Sequence, residues 1–288
     1  MARRQASIGF PGVHAVITGG SSGIGLATAR LLVARGVTVS LVARDGGRLA
    51  AAARELHGQG GAVHTRTADV ADRTAVCAAL DDLVNAAGAC DVLVTSAGLA
   101  RPGRFLELPD EVFRQMIEVD YFGTLYPVRH VAPGMVARGR GSIVAVSSAA
   151  GLLGIYGYSA YGPAKFAVRG LMESVRAELT PHGVHVGVVY PPDVDTPQLA
   201  EENLWKPAET RAVSGTIRPL APDTVARAIV AGIERRRFVI CPDAGTRALA
   251  RFGSVLSPAL NRVFDRRVAA VHADRAGRAD RADRAEPG

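Results

Sequence analysis

A short apolar run that ends in glycines and opens straight into a helical stretch, "VHAVITGGSSGIGLATARLLVARG" over residues 13–36, restricts the fold more than any other feature of this chain. A buried strand, a turn only glycine can make and a helix closed by Gly36 form the opening of a βα unit. The same alternation continues. Strands are expected near 37–44, 62–67, 91–95, 142–147 and 184–190, with helices near 46–57, 72–86, 110–138 and 159–179 between them. Near-continuous runs such as "CDVLVTSAG" and "SIVAVSS" suit parallel strands buried on both faces. The reading is a single Rossmann-type, doubly wound α/β domain over residues 11–243, its parallel sheet covered by helices on both faces.

Two shorter segments follow. Residues 244–271 read as an amphipathic helical extension, with Leu249, Phe252, Leu256, Leu260, Val263 and Phe264 on one side and Arg247, Arg251, Arg262 and Arg266 on the other. Ser257-Pro258 looks like an N-cap followed by proline at the first helical position, which predicts two short helices with a break. Residues 272–288 repeat Arg-Ala-Asp with nothing to bury and read as a disordered tail.

Composition narrows the function. The 48% apolar content supports a full core, and the net charge of +7 comes from scattered arginines rather than a basic face, so nucleic acid is not expected as a partner. Three separated cysteines, Cys77, Cys90 and Cys241, suggest a reducing compartment. There is no secretory leader and no long uncharged apolar span, so a cytoplasmic location is expected. His182 and His185 flank a turn without further ligands and read as structural.

Gly19, Gly23 and Gly25, with Ser21, Ser22 and Ile24 between them, sit where a helix N-terminus presents free N–H groups to a pyrophosphate. At the end of the second strand, where a carboxylate would accept a ribose 2′-OH, stand Ala43 and Arg44, with Arg48 one turn on. Cationic forks suit a 2′-phosphate, so NADPH is the expected cofactor, and Asp45 reads as a helix N-cap.

The chain holds only two lysines against 32 arginines. One of them, Lys165, lies four residues after Tyr161 in "YGPAK", on the same face of a helix. Together "TGGSSGIG", "ADV" (68–70), "SAG" (96–98), "VSS" (146–148) and "YGPAK" resemble the short-chain dehydrogenase/reductase family, over residues 13–243. The resemblance implies a catalytic set of Ser148, Tyr161 and Lys165, with Asp120 where the family has Asn. It also implies that Asp69 and Val70 flank the adenine, that Ala97 and Gly98 line the cofactor cleft, that Val194 and Thr196 meet the nicotinamide carboxamide, and that the protein is a dimer or tetramer. The residue types fit the chemistry. A phenol donates a proton to the alkoxide left by hydride delivery, a lysine steadies the tyrosinate, and a serine hydroxyl holds the substrate oxygen. "TSAG" in place of Asn-Asn-Ala-Gly, Pro191-Pro192 in place of Pro-Gly, and Asp120 depart from the family pattern.

The segment 190–216, "YPPDVDTPQLAEENLWKPAETRAVSGT", falls where this family places its substrate lid and is similar to the 3-ketodihydrosphingosine reductase branch. This implies NADPH-dependent reduction of the 3-keto group of a long-chain sphingoid base. Reduction of another hydrophobic ketone, steroid or acyl, is the near alternative, and a non-catalytic NADP(H) sensor or scaffold the distant one. Lys206, the second lysine, reads as an exposed loop residue. Tyr156 and Tyr158 line the substrate entrance or pack. A lipid-partitioning substrate gives the arginine-flanked extension 244–271 a further expected role, peripheral contact with the cytosolic face of a membrane, against packing on the core or a second subunit.

Overall fold

In the computed structural model, residues 12–215 and 218–283 are described, with side chains to residue 274. Seven strands form one parallel sheet: β1 (His14–Thr18), β2 (Thr38–Ala43), β3 (Val63–Thr67), β4 (Val92–Thr95), β5 (Gly141–Val146), β6 (Val184–Val189) and β7 (Val239–Ile240), in the order β3-β2-β1-β4-β5-β6-β7. The order reverses between β1 and β4. A crevice opens at such a switch point beyond the carboxyl ends of the strands, which places the site before any residue is considered.

Strand periodicity divides the core into two layers. Ala15 and Ile17 face α1 (Gly23–Val33), α2 (Gly46–Gly58) and α9 (Pro222–Glu234), packing with Leu32, Leu49 and Ile229. Val16 faces α3 (Arg73–Ala87), α5 (Gly123–Ala137) and α6 (Tyr161–Leu179), packing with Leu80, Val128 and Met172. Asp45 caps α2 by accepting a hydrogen bond from the Arg48 N–H at 2.9 Å. His185 is held between Ser142 and the Arg237 carbonyl, and burial lowers its pKa to about 4.

The long middle helix is interrupted. Between α4 (Asp110–Met116) and α5, residues Ile117–Phe122 form a π-helical turn, a local unwinding of the helix that re-aims a side chain, as is frequent at functional sites. It carries Asp120. After β6, the lid segment folds as α7 (Pro197–Trp205), capped by the Thr196 hydroxyl and started by Pro197, and α8 (Ala208–Ser214).

The C-terminal extension departs from the sequence reading. A single helix, α10, runs from Ala244 to Asp283, through Pro258 and through residues 272–283, which were expected to be unstructured. Beyond the proline, Arg267 donates to the Val213 carbonyl at 3.0 Å and His272 lies 3.2 Å from Glu209, so contacts with α8 hold the second half in line with the first. These offset the lost backbone hydrogen bond of an internal proline. The Arg-Ala-Asp repeat is rich in strong helix formers and extends the helix already nucleated. Residues 284–288 lie outside the described residues. The amphipathic face also divides: Leu249, Leu260 and Phe264 are half-buried, whereas Phe252, Leu256 and Val263 are exposed.

Candidate active site

A cleft of about 950 Å³ lies over the switch point. One wall is the glycine turn. Gly19 has φ +69°, and a Cβ there would sit 2.6 Å from the Ala97 nitrogen, so only glycine lets the turn close against the end of β4. Gly25 does not line the cleft. A Cβ on it would meet the Gly19 carbonyl oxygen at 2.3 Å, so its part is to pack α1 on the turn. Ser22 precedes α1 without making a capping hydrogen bond, and the first turn of the helix holds no acidic side chain. The positive end of α1 is thus open to an anion.

Ser21, Ser22, Gly23, Ile24, Val70, Ala97, Gly98, Val194 and Thr196 all line this cleft, as do Arg44 and Arg48 at its far end. The Arg44 side chain is 62% exposed and only 3.9 Å from Asp69, so it is free to turn toward a ligand phosphate. Asp69 lies between two residues of the cleft wall, Ala68 and Val70. Its carboxylate accepts from the Ala71 N–H and faces Arg44, which makes it a partner of the arginine. A glycine cradle, an open helix N-terminus and two exposed guanidiniums fit a dinucleotide of the NAD(P) type.

The floor gathers the residues of the expected catalytic set. Ser148 lies two residues beyond β5 and caps a short turn, its hydroxyl accepting from the Ala150 N–H at 3.1 Å. Tyr161 opens α6 and Lys165 follows one turn later, with its ammonium 5.6 Å from the Tyr161 ring centroid. Lys165 is nearly enclosed. It donates to the Val146 carbonyl at 3.3 Å and pairs with the fully buried Asp120 carboxylate at 3.2 Å. The same Asp120 oxygen accepts from the Leu99 N–H at 3.2 Å, and its backbone carbonyl accepts the Thr124 hydroxyl. A Cβ on Gly98 would lie 2.6 Å from that carboxylate oxygen, so the glycine of "SAG" makes room for the ion pair.

Electrostatics on this floor run against an ionised phenol. Burial and then the Asp120 and Glu202 carboxylates push the Tyr161 pKa well above its usual value, and a hydrogen bond with Ser148 works the other way. Burial also raises the Asp120 pKa, opposed by Lys165. The result is a tyrosine kept protonated, as a proton donor to a ketone oxygen must be.

The lid supplies the opposite wall, where the structure overturns one sequence expectation. Lys206 is buried, not exposed: its side chain is 4% accessible and sits 3.0 Å from both Asp193 and Glu202. Tyr158, which the sequence left between lining and packing, is buried with its hydroxyl donating to Glu202 and its ring 5.6 Å from that of Tyr161. Glu209, fully buried in α8, pairs with Arg104 at 3.2 Å. Sequence reasoning missed Asp193, Glu202 and Glu209. The available signal was the i, i+4 spacing of Glu202 and Lys206 in the acidic lid segment.

Residues 13–207 match the family model described as short chain dehydrogenase. A 3-ketodihydrosphingosine reductase from Dictyostelium discoideum is 35% identical, aligned over 93% of this chain and 86% of its own length. A 3-dehydrosphinganine reductase from Danio rerio is 42% identical over 76% of this chain and 68% of its own. Among solved structures, a short-chain dehydrogenase/reductase from Burkholderia phymatum in complex with NAD superposes with a TM-score of 0.79 at 26% identity, covering 88% of this chain and 96% of that one. A short-chain dehydrogenase from Sphingobium yanoikuyae in complex with NADPH gives 0.73 at 28%, covering 88% and 95%.

Proposed function

The chain belongs to the short-chain dehydrogenase/reductase family and is an oxidoreductase, and we propose that it reduces the 3-keto group of a long-chain sphingoid base with NADPH. The observation that carries ketone reduction is the juxtaposition of Ser148, protonated Tyr161 and the paired Lys165 on the floor of one cleft. When bound, the dinucleotide supplies the hydride. Ser148 holds the carbonyl oxygen, Tyr161 gives it a proton as charge develops, and Lys165 supports the tyrosinate left behind. The substrate class rests on similarity that extends through the lid to relatives named for that reaction. The phosphorylated form of the cofactor rests on Arg44 and Arg48, which offer guanidiniums where a carboxylate would be needed for a free 2′-OH.

A long-chain substrate partitions into lipid, and the outer side of the molecule suits such a surface. Phe252, Val255, Leu256 and Val263 of α10 are exposed, as are Leu204 and Trp205 at the end of α7 and Phe105 and Leu106 in the loop before α4. Arg247, Arg251, Arg262 and Arg266 are exposed on the same helix. We read this as a peripheral contact with an anionic membrane surface and propose the cytosolic face as its side. Because the inner side of α10 packs on α8, truncation would disturb the lid, so paired Val255→Glu and Leu256→Glu substitutions are the cleaner probe. Co-sedimentation with anionic vesicles should fall at least several-fold while the melting temperature holds. Equal binding by the variant rules the surface out.

The substrate reading is tested by NADPH oxidation with the pure protein against ketones that differ in chain length and head group. Turnover should be highest with a long-chain 2-amino-3-ketone. Equal turnover of short or cyclic ketones defeats the substrate assignment.

A further inference from the structure

The lid wall of the cleft carries more negative charge than it needs. Glu202 and Asp193 both line the cavity, and both lean on one cation, Lys206, at 3.0 Å each. Two carboxylates against one ammonium leave a surplus of one negative charge where Glu202 is only 6% exposed. The other cations of the cleft do not correct it. Lys165 is committed to Asp120, and Arg44 and Arg48 stand at the cofactor end. Asp193 keeps 31% of its side chain exposed, so the cost falls on the buried Glu202, which calls for a proton or a further cation. Burial raises the Glu202 pKa against the pull of Tyr158 and Lys206, the direction expected of a carboxylate short of positive charge.

The surplus lies beside the reacting hydroxyl. Tyr158 bridges the two: its hydroxyl donates to Glu202, and its ring centroid is 5.6 Å from that of Tyr161. In a 2-amino ketone the nitrogen is two bonds from the carbonyl carbon, so a ketone oxygen held on Ser148 and Tyr161 keeps its ammonium close to the phenol that Tyr158 links to Glu202. We propose that Glu202, steadied by Lys206 and Tyr158, is the subsite for the ammonium group next to the ketone and so selects 2-amino ketones over neutral ketones of equal chain length. This rests on the substrate class proposed above. An ammonium in the site completes the charge balance of Asp193, Glu202 and Lys206.

The test compares kcat/KM, with NADPH and full-length protein, for a long-chain 2-amino-3-ketone and for the same ketone without the amine. The unaltered enzyme should favour the amino ketone by about tenfold or more, the effect of one charge-assisted contact. Glu202→Gln, checked for folding by its melting curve and by cofactor titration, should bring the ratio close to one. A second measurement needs no variant. On the unaltered enzyme the ratio should fall as pH rises through the amine's own pKa, because contributions of Tyr161, Lys165 and Lys206 common to both substrates cancel in it. Turnover of both ketones with a ratio near one, or a ratio that Glu202→Gln leaves unchanged, overturns the ammonium subsite alone. Turnover of neither overturns the substrate class, and the subsite with it.

Discussion

The two walls of the cleft handle charge in opposite ways. At the cofactor end, Arg44 and Arg48 are 62% and 65% exposed and loosely paired with Asp69 and Asp45, at 3.9 and 3.3 Å. On the lid, Lys206 is 4% exposed and Glu209 fully buried, each held by a specific partner. Exposed pairs contribute little and can exchange one partner for another, which suits a wall that must take up and release a charged ligand. Buried pairs cannot exchange without a large penalty, so they fix the shape of the lid over the substrate. The catalytic floor lies between, with Tyr161 touched electrostatically from both sides.

The largest effect should come at that seam. Tyr161→Phe removes a single hydroxyl, so ketone reduction should fall by about 10²- to 10⁴-fold while NADPH still binds. Retained binding, measured by fluorescence titration, shows that the cofactor wall stands without the phenol. Substantial residual reduction would move the proton donor elsewhere.

Next comes a direct contrast between the walls. Lys206→Met leaves Glu202 and Asp193 without their shared cation and should cost about 3–5 kcal/mol of stability, because it breaks a buried pair and strands its partners. Arg48→Ala, on the exposed wall, should stay within about 0.5 kcal/mol. Urea unfolding of both variants gives the comparison, and equal losses would erase the distinction. A smaller effect is expected from Arg44→Ala. It should leave stability alone yet reduce the preference for NADPH over NADH by about 10- to 150-fold, the worth of one charge-assisted phosphate contact.

The same contrast explains what could be read from the sequence. The cofactor wall is local: strand, turn and helix are contiguous, so "TGGSSGIG" announces both the fold and the cradle, and Asp45 announces its cap. The lid wall is assembled from afar. Tyr158 and Glu202 are 44 residues apart, and Arg104 and Glu209 are 105 apart, so neither pair has a local signature. Lys206 looked like a solvated loop residue because its one local signal, the i, i+4 spacing to Glu202, does not say that the segment 190–215 folds back on the core. In α10 the signal at Ser257-Pro258 was a sound local stop, outweighed by distant contacts through Arg267 and His272.

Asp120 is the residue on which both kinds of reading meet, and the smallest effect tests it. Its position follows from the π-helical turn, and its carboxylate sits 3.2 Å from Lys165 with the second oxygen buried and lacking a hydrogen-bond partner among the described residues. That charge is the foremost influence on Tyr161 after burial, and it raises the pKa of the phenol. Reduction needs Tyr161 protonated, so activity in that direction is lost as pH climbs through the Tyr161 pKa. Asp120→Asn keeps an oxygen for the Leu99 N–H and removes the charge. The Tyr161 pKa should then fall, and the alkaline limb of the reduction profile should move down by about one pH unit, the worth of one charge at close range in a partly screened interior. In the reverse direction, where tyrosinate accepts the proton from an alcohol, activity near neutral pH should rise by up to about tenfold. The two profiles must move together. A limb that stays in place, or moves up, would mean that Asp120 acts through the placement of Lys165 and not through its field on the phenol.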